Sequence, residues 1–131
     1  MKYNKLIPEL SVKNIQRSID FYTMLGFKIK YERKENKFAF IEMNEIQLMI
    51  EEENDTWNNG YPLTYPYGNG INFSMEVDNI EEIYDLLKKN DYPIFIEMEE
   101  NHYRVNDKEC HSKEFLVMDP DGYTLRFNQD L

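Results

Sequence analysis

Cys110 is the only cysteine in this chain of 131 residues, so an internal disulfide framework is excluded and a reducing compartment fits best. Long hydrophobic runs are also missing. No stretch approaches the roughly 20 apolar residues of a membrane span, and no membrane association is expected. The opening decapeptide, MKYNKLIPEL, lacks the apolar stretch of a signal peptide, so a cytoplasmic location is expected. Positive charge is scarce: 15 Lys+Arg face 25 Asp+Glu, for a net charge of −10 at pH 7. Phosphate neutralisation supplies most nucleic-acid affinity, so an acidic chain without a basic stripe is a poor nucleic-acid binder. What remains is one soluble domain, long enough to bury a core without staples, with a small-molecule or protein partner.

The most informative feature present is a repeat. Val12, Asn14 and Ile15 recur 65 residues later as Val77, Asn79 and Ile80, and Ile19, Tyr22 and Phe27 recur as Tyr84, Leu87 and Tyr92. Phe38-Ala-Phe-Ile then recurs 77 residues later as Phe115-Leu-Val-Met, and Leu48 as Leu125. The second copy therefore carries about a dozen extra residues, most simply a loop over 99–112. The division expected is a first module at 1–53, a linker at 54–69 and a second module at 70–131.

Each module reads as strand, helix, then three strands. Asn14 is placed to cap the first helix and Gly26 to stop it, with Ile15, Ser18, Ile19 and Tyr22 on one face. Asn79 caps the second, Glu82 holds the capping-box position, and Ile80, Ile83, Tyr84 and Leu87 form its apolar stripe. Asn44-Glu45 and Asp121-Gly122 both read as two-residue hairpin turns. Asp119-Pro-Asp-Gly is read as turn chemistry, because the later ligands of a calcium loop are missing. Gly68-Asn-Gly70 leads into a strand, which removes the helix N-terminus a phosphate cradle needs.

Alternation splits each strand into two faces. One is apolar and must meet the helices, with Leu10, Val12, Ile41, Leu48, Met75, Leu116, Met118, Leu125 and Phe127 among its members. The other mixes Glu9, Phe38, Phe40, Met49, Glu51, Asn72, Ser74, Glu76, Phe115, Val117 and Arg126. Three phenylalanines on a polar face suit a half-enclosed pocket better than a solvated sheet. The inward acids Glu9, Glu51 and Glu76 outnumber Arg126, which is either a structural partner for one of them or a ligand contact. Acidic and aromatic together suit a cationic, planar small molecule. Trp57, Tyr61, Tyr65 and Tyr67 of the linker could close over it or pack against the sheet.

The stretch PELSVKNIQRSIDFYTMLGF (residues 8–27) resembles the opening strand and helix of the vicinal oxygen chelate superfamily, which includes glyoxalase I, extradiol dioxygenases and bleomycin resistance proteins. EFLVMDPDGYTLRF (residues 114–127) is similar to its closing hairpin. The resemblance implies an α+β fold of two tandem βαβββ modules that form a curved mixed sheet around a cavity, with the helices outside. It also implies a homodimer, sometimes with the first strand exchanged. Metal-using members hold ligands at positions that fall here on Ile7, Met49, Asn72 and Arg126. None of these suits a catalytic divalent ion, so no metal, no cofactor and no catalytic residue is expected. That departure resembles the metal-free bleomycin resistance branch, whose members sequester a drug. The function expected is sequestration of a small cationic, aromatic compound, as in antibiotic resistance. The alternative is a glyoxalase-like lyase or isomerase with an unconventional site, such as Glu51 or Glu76 as base. The expected ligand-binding set is Glu9, Phe38, Phe40, Met49, Glu51, Trp57, Asn72, Glu76, Phe115 and Arg126. His102, Asp107, Cys110 and His111 lie close in sequence but lack a recognised zinc spacing. Cys110 and His111, as neighbours on an extended segment, point to opposite faces, which disfavours an activated thiol.

Overall fold

The computed structural model describes residues 2–54, 56 and 62–131. Two compact units emerge. The first runs to Asn69 and includes Pro120–Gly122; the second comprises Gly70–Asp119 and Tyr123–Leu131. Each is built on a βαβββ module.

In the first unit, β1 (Glu9–Val12) leads into α1 (Ile15–Leu25), followed by β2 (Lys28–Arg33), β3 (Phe38–Met43) and β4 (Ile46–Glu52). The sheet order is β1-β4-β3-β2, with β1 parallel to β4 and the other pairs antiparallel. The Asn14 side chain accepts from Arg17 N, and Gly26 ends the helix at φ 117°, a left-handed conformation that glycine adopts without Cβ strain. Helix α1 buries Ser18, Phe21, Tyr22 and Leu25. With Leu10, Val12, Ala39, Ile41, Leu48 and Ile50 these build the core on one side of the sheet. Asn44 and Glu45, both at positive φ, make the two-residue turn that sets Met43 opposite Ile46.

In the second unit, β5 (Asn72–Glu76) and α2 (Ile80–Lys89) precede β6 (Ile96–Val105), β7 (Lys108–Met118) and β8 (Thr124–Asp130). The order β5-β8-β7-β6 repeats the mixed pattern, with β5 parallel to β8. The Asn79 side chain caps α2 by accepting from Glu82 N, and Ile80, Ile83 and Leu87 are buried along its apolar stripe. Acids in its first turn and lysines in its last both oppose the helix dipole favourably.

Two expectations need correction here. The extra residues of the second module are not a loop. They extend β6 and β7 into a long antiparallel ribbon closed by a two-residue turn between Val105 and Lys108. The β7–β8 connection is also one residue longer than the two-residue turn read from Asp121-Gly122. Asp119 N donates to Tyr123 O, so Pro120-Asp121-Gly122 forms a three-residue loop with Gly122 at φ 87°. Because side chains alternate with period two, that one residue inverts β7 relative to β8.

Candidate functional site

On the first sheet, the face away from α1 is organised in rows set by register. One row is Glu9, Met49, Phe40 and Tyr31; the next is Ser11, Glu51, Phe38 and Arg33. Glu9 and Glu51 are thus diagonal neighbours across β1 and β4. Glu9 is exposed at its edge of the sheet, but partial desolvation, reinforced by the Glu51 charge, raises its carboxyl above its ordinary value, and Arg33 partly offsets this. The two acids form a like-charge pair at the edge of an aromatic floor.

The floor itself differs from the sequence expectation. Phe38 and Phe40 are 4% and 1% exposed, so neither offers a bare wall to a ligand. Tyr31 stacks on Phe40 at 5.2 Å, and Tyr3 meets it edge-on at 5.5 Å. The Arg33 guanidinium lies 4.2 Å from the Phe38 ring centroid, a cation–π contact made by the protein itself. Tyr31, Arg33 and half-buried Met49 are the groups this face presents beside the acids. The signal for Arg33 and Tyr31 was their place on β2, whose polar, alternating sequence gives no hint of which side faces the floor. A bulge between Ile29 and Tyr31 sets it.

On the second sheet, Ser74 lies opposite Arg126, which lies opposite Leu116; Glu76, Asn128 and Glu114 form the next row. Arg126 is half-buried, and its Nε is fully buried with no hydrogen-bond partner. Among the described residues no carboxylate lies within ion-pair distance of it, so the structural pairing considered for Arg126 is absent. A buried, unpaired guanidinium N–H calls for an acceptor. Asn72 and Glu76 are exposed on the same strand face, and Asn128 donates to Ser74 Oγ at 2.8 Å.

Phe115 does not belong to this face. The register places it opposite Phe127, their rings stacked at 5.4 Å, with Tyr84 of α2 at 5.0 Å. It is fully buried on the helix side, and Val117 joins it there. Leu116 and Met118, expected against the helix, instead lie opposite Arg126 and Thr124 on the ligand face, in the places expected of Phe115 and Val117. Trp57 and Tyr61 lie outside the described residues. Tyr67 donates its hydroxyl to Glu53 at 2.6 Å and is thereby committed to packing the linker, with its phenol pushed up to about 12 mainly by that bond. In the Asp119-Pro-Asp-Gly segment, Asp119 accepts from Tyr123 N, while Asp121 accepts from Lys13 N and Arg17. Asp119 thus does turn chemistry, while Asp121 ties the loop to the start of α1.

The profile of the Glyoxalase/Bleomycin resistance protein/Dioxygenase superfamily matches residues 6–127. The chain belongs to this superfamily. A superfamily member from Vibrio splendidus is 32% identical over 94% of this chain and 95% of its own, with a TM-score of 0.45. A glyoxalase/bleomycin resistance protein/dioxygenase from Alicyclobacillus acidocaldarius is 18% identical over 98% and 92%, with a TM-score of 0.68. A bleomycin-binding protein, solved in complex with bleomycin, is 19% identical over 98% and 99%, with a TM-score of 0.66. The last two share the fold.

A metal used by members of the superfamily would need donors where this chain has Ile7, Met49, Asn72 and Arg126. These residues do not fit a divalent ion. Ile7 offers no donor, Met49 only a soft thioether, and Arg126 sets a fixed positive charge where a cation would have to approach. Among the described residues no group of three or more His, Cys, Asp or Glu converges at these positions. Membership of the superfamily therefore comes without the ligand set of its metalloenzymes. No helix of the described residues is long and apolar enough to cross a membrane.

Proposed function

We propose that this protein binds and sequesters a small organic molecule without using a metal at the superfamily's ligand positions. The observation that carries the reading is Arg126. It stands at the last of those positions, with a buried Nε that lacks a hydrogen-bond acceptor. A fixed guanidinium there disfavours Lewis-acid chemistry and suits an acceptor group on an organic guest. Taken by itself, the Glu9–Glu51 pair of the first unit favours a cationic group, since an amine would relieve its repulsion. Tyr31 and Met49 supply apolar contact beside it. Bleomycin, bound by a protein of the same fold, is the first compound to try. A cytoplasmic homodimer is part of this proposal, and light scattering that reports a monomer at micromolar concentration would remove the dimer from it.

The test is thermal unfolding of chelator-treated protein with and without bleomycin. At about 100 times the dissociation constant, binding adds roughly 2.7 kcal/mol. For a domain of this length the midpoint then rises by about 10 °C at most. The shift should shrink in Arg126→Gln and Glu51→Gln proteins whose ligand-free midpoints stay close to that of the parent. An absent shift removes bleomycin as guest. A shift that neither substitution alters removes the assignment of these residues.

A further inference from the structure

The β6–β7 ribbon brings together three side chains that the ligand site does not use. His102 lies directly opposite His111, and Glu109 precedes His111 by two residues, so all three project from one face of the ribbon. Glu109 Oε1 is 3.6 Å from His102 Nδ1 and 3.7 Å from His111 Nε2, and the two imidazole centroids are 4.1 Å apart. One donor atom from each residue lies within 4.8 Å of the others. Two ligands bound tetrahedrally to zinc at about 2.0–2.1 Å sit roughly 3.3 Å apart, so the carboxylate–imidazole separations are close to those of a closed site.

We propose that His102, Glu109 and His111 form a divalent-metal site that takes Zn²⁺ or a neighbouring late first-row ion. Two imidazoles and a carboxylate are the donor set such ions prefer, whereas magnesium and calcium favour all-oxygen sites. The orientation of Glu109 adds to the case. Its register partner is Arg104, yet its carboxylate oxygen Oε1 lies within 3.7 Å of a ring nitrogen of each histidine. Glu100 and Lys113, the next pair inward on this face, offset each other, with Lys113 also held by Glu81 at 2.7 Å, which leaves Arg104, opposite Glu109, as the positive charge beside the site. All three donors are exposed, so metal can reach them without opening the fold and solvent can complete the coordination. Cys110 pairs with Tyr103 on the other face, which keeps the thiol out of the cluster, and the turn residue Asp107 is not among the converging donors. The ribbon site is separate from the superfamily's ligand positions and does not depend on the guest-binding reading. It would clip the two strands of the ribbon together near its tip.

The experiment is calorimetric titration of the untagged, chelator-treated full chain with ZnCl₂, repeated with Co²⁺ to read its visible ligand-field bands. One ion per chain should bind, and cobalt should give bands that depend on the histidines. A partner in the outer shell of a metal is already worth about 10–100-fold in affinity, so His102→Gln, His111→Gln and Glu109→Gln should each weaken binding by at least about tenfold. The substituted residues are exposed, and unchanged far-ultraviolet circular dichroism will separate lost ligation from lost fold. Cys110→Ser should bind as the parent does. No zinc binding by the parent chain overturns the proposal, and so does binding as tight as the parent's by all three variants. Loss of binding in Cys110→Ser with retention in Glu109→Gln overturns the ligand assignment.

Discussion

Phe115 stacks on Phe127 at 5.4 Å in the second unit, whereas its counterpart by repeat, Phe38, lies opposite Glu51 in the first. The same sequence phrase thus serves a core in one module and the floor beneath the polar face in the other. The cause is the length of the hairpin loop. Asn44-Glu45 closes β3 on β4 with two residues, and Pro120-Asp121-Gly122 closes β7 on β8 with three.

Phe115→Ala should therefore act on stability and not on recognition. The ring is fully buried between Phe127 and Tyr84, and its removal leaves a cavity worth about 3–5 kcal/mol. Denaturant unfolding will measure that loss. The ligand dissociation constant of the remaining folded protein should stay within about twofold of the parent, judged against the factor of ten that 1.4 kcal/mol represents. A selective loss of affinity without loss of stability would return Phe115 to the ligand face.

Much of the fold was legible because local signals agreed with one another. Asn14 and Asn79 cap the helices as their spacing predicts, and Gly26 ends α1 in the left-handed region. The face containing Glu9, Met49, Glu51, Phe38 and Phe40 follows from strict alternation once the turn at Asn44-Glu45 is read correctly. Phe115 was misplaced because Asp-Gly fits both a two-residue turn and the end of a three-residue loop, and only the pairing decides between them. Coverage was the harder property to read. Nothing in the spacing of Tyr3, Tyr31 and Arg33 shows that they pack onto Phe38 and Phe40, since strand polarity gives a face but not what lies above it. The ribbon was hidden for a related reason. Its residues are mostly exposed on both faces, so they lack the hydrophobic alternation that marks a half-buried strand.

Gly122→Ala should destabilise the first unit, in which this residue lies. Gly122 has φ 87°, and a Cβ added there would lie 2.6 Å from both Cα and Cβ of Pro66. Strained backbone alone costs about 1–3 kcal/mol, and the clash with a backbone atom adds to it. The hydrogen bond from Gly68 N to Gly122 O is the contact most exposed to the resulting shift. Faster amide exchange at Gly68 in the Ala variant will show it. An unchanged midpoint with unchanged exchange would mean that the loop relaxes freely.

Asp121 should prove to be an anchor for the start of α1. Its carboxylate accepts from Lys13 N at 3.2 Å, from Arg17 at 2.8 Å and from Ser18 Oγ at 3.4 Å, and the residue is 2% exposed. Asp121→Ala leaves the Lys13 N–H and the Ser18 hydroxyl without this acceptor, a loss of about 2–3 kcal/mol. Asp121→Asn keeps an acceptor oxygen for Lys13 and should recover part of it. Equal midpoints for the two variants would assign the whole effect to the charge facing Arg17.

The Glu9–Glu51 pair gives a pH-dependent signature of the proposed ligand face. Glu9 titrates above its ordinary value of 4.5 in the folded protein, chiefly from partial desolvation and then from the Glu51 charge. A raised carboxyl binds more protons folded than unfolded, so its contribution to stability is fully present below about 4.5 and is lost as pH rises through the folded value. Glu51→Gln removes the like charge while retaining an oxygen for the Asn54 amide, which now reaches Glu51 at 3.3 Å. The Glu9 carboxyl should then move down toward its ordinary value, as followed by carbon-13 titration of its side chain. At pH 7 the variant should be more stable than the parent by up to about 1 kcal/mol, a ceiling set by the exposure of Glu9. That gain should fade toward acid pH, as Glu9 takes up its proton and the like-charge repulsion disappears. A bound cationic guest should lower the Glu9 value in the parent and, at the same guest concentration, lower it less in the variant, whose affinity for the guest is weaker. If Glu51→Gln leaves Glu9 where it was, the two acids are not coupled and the cationic preference of this face loses its physical basis.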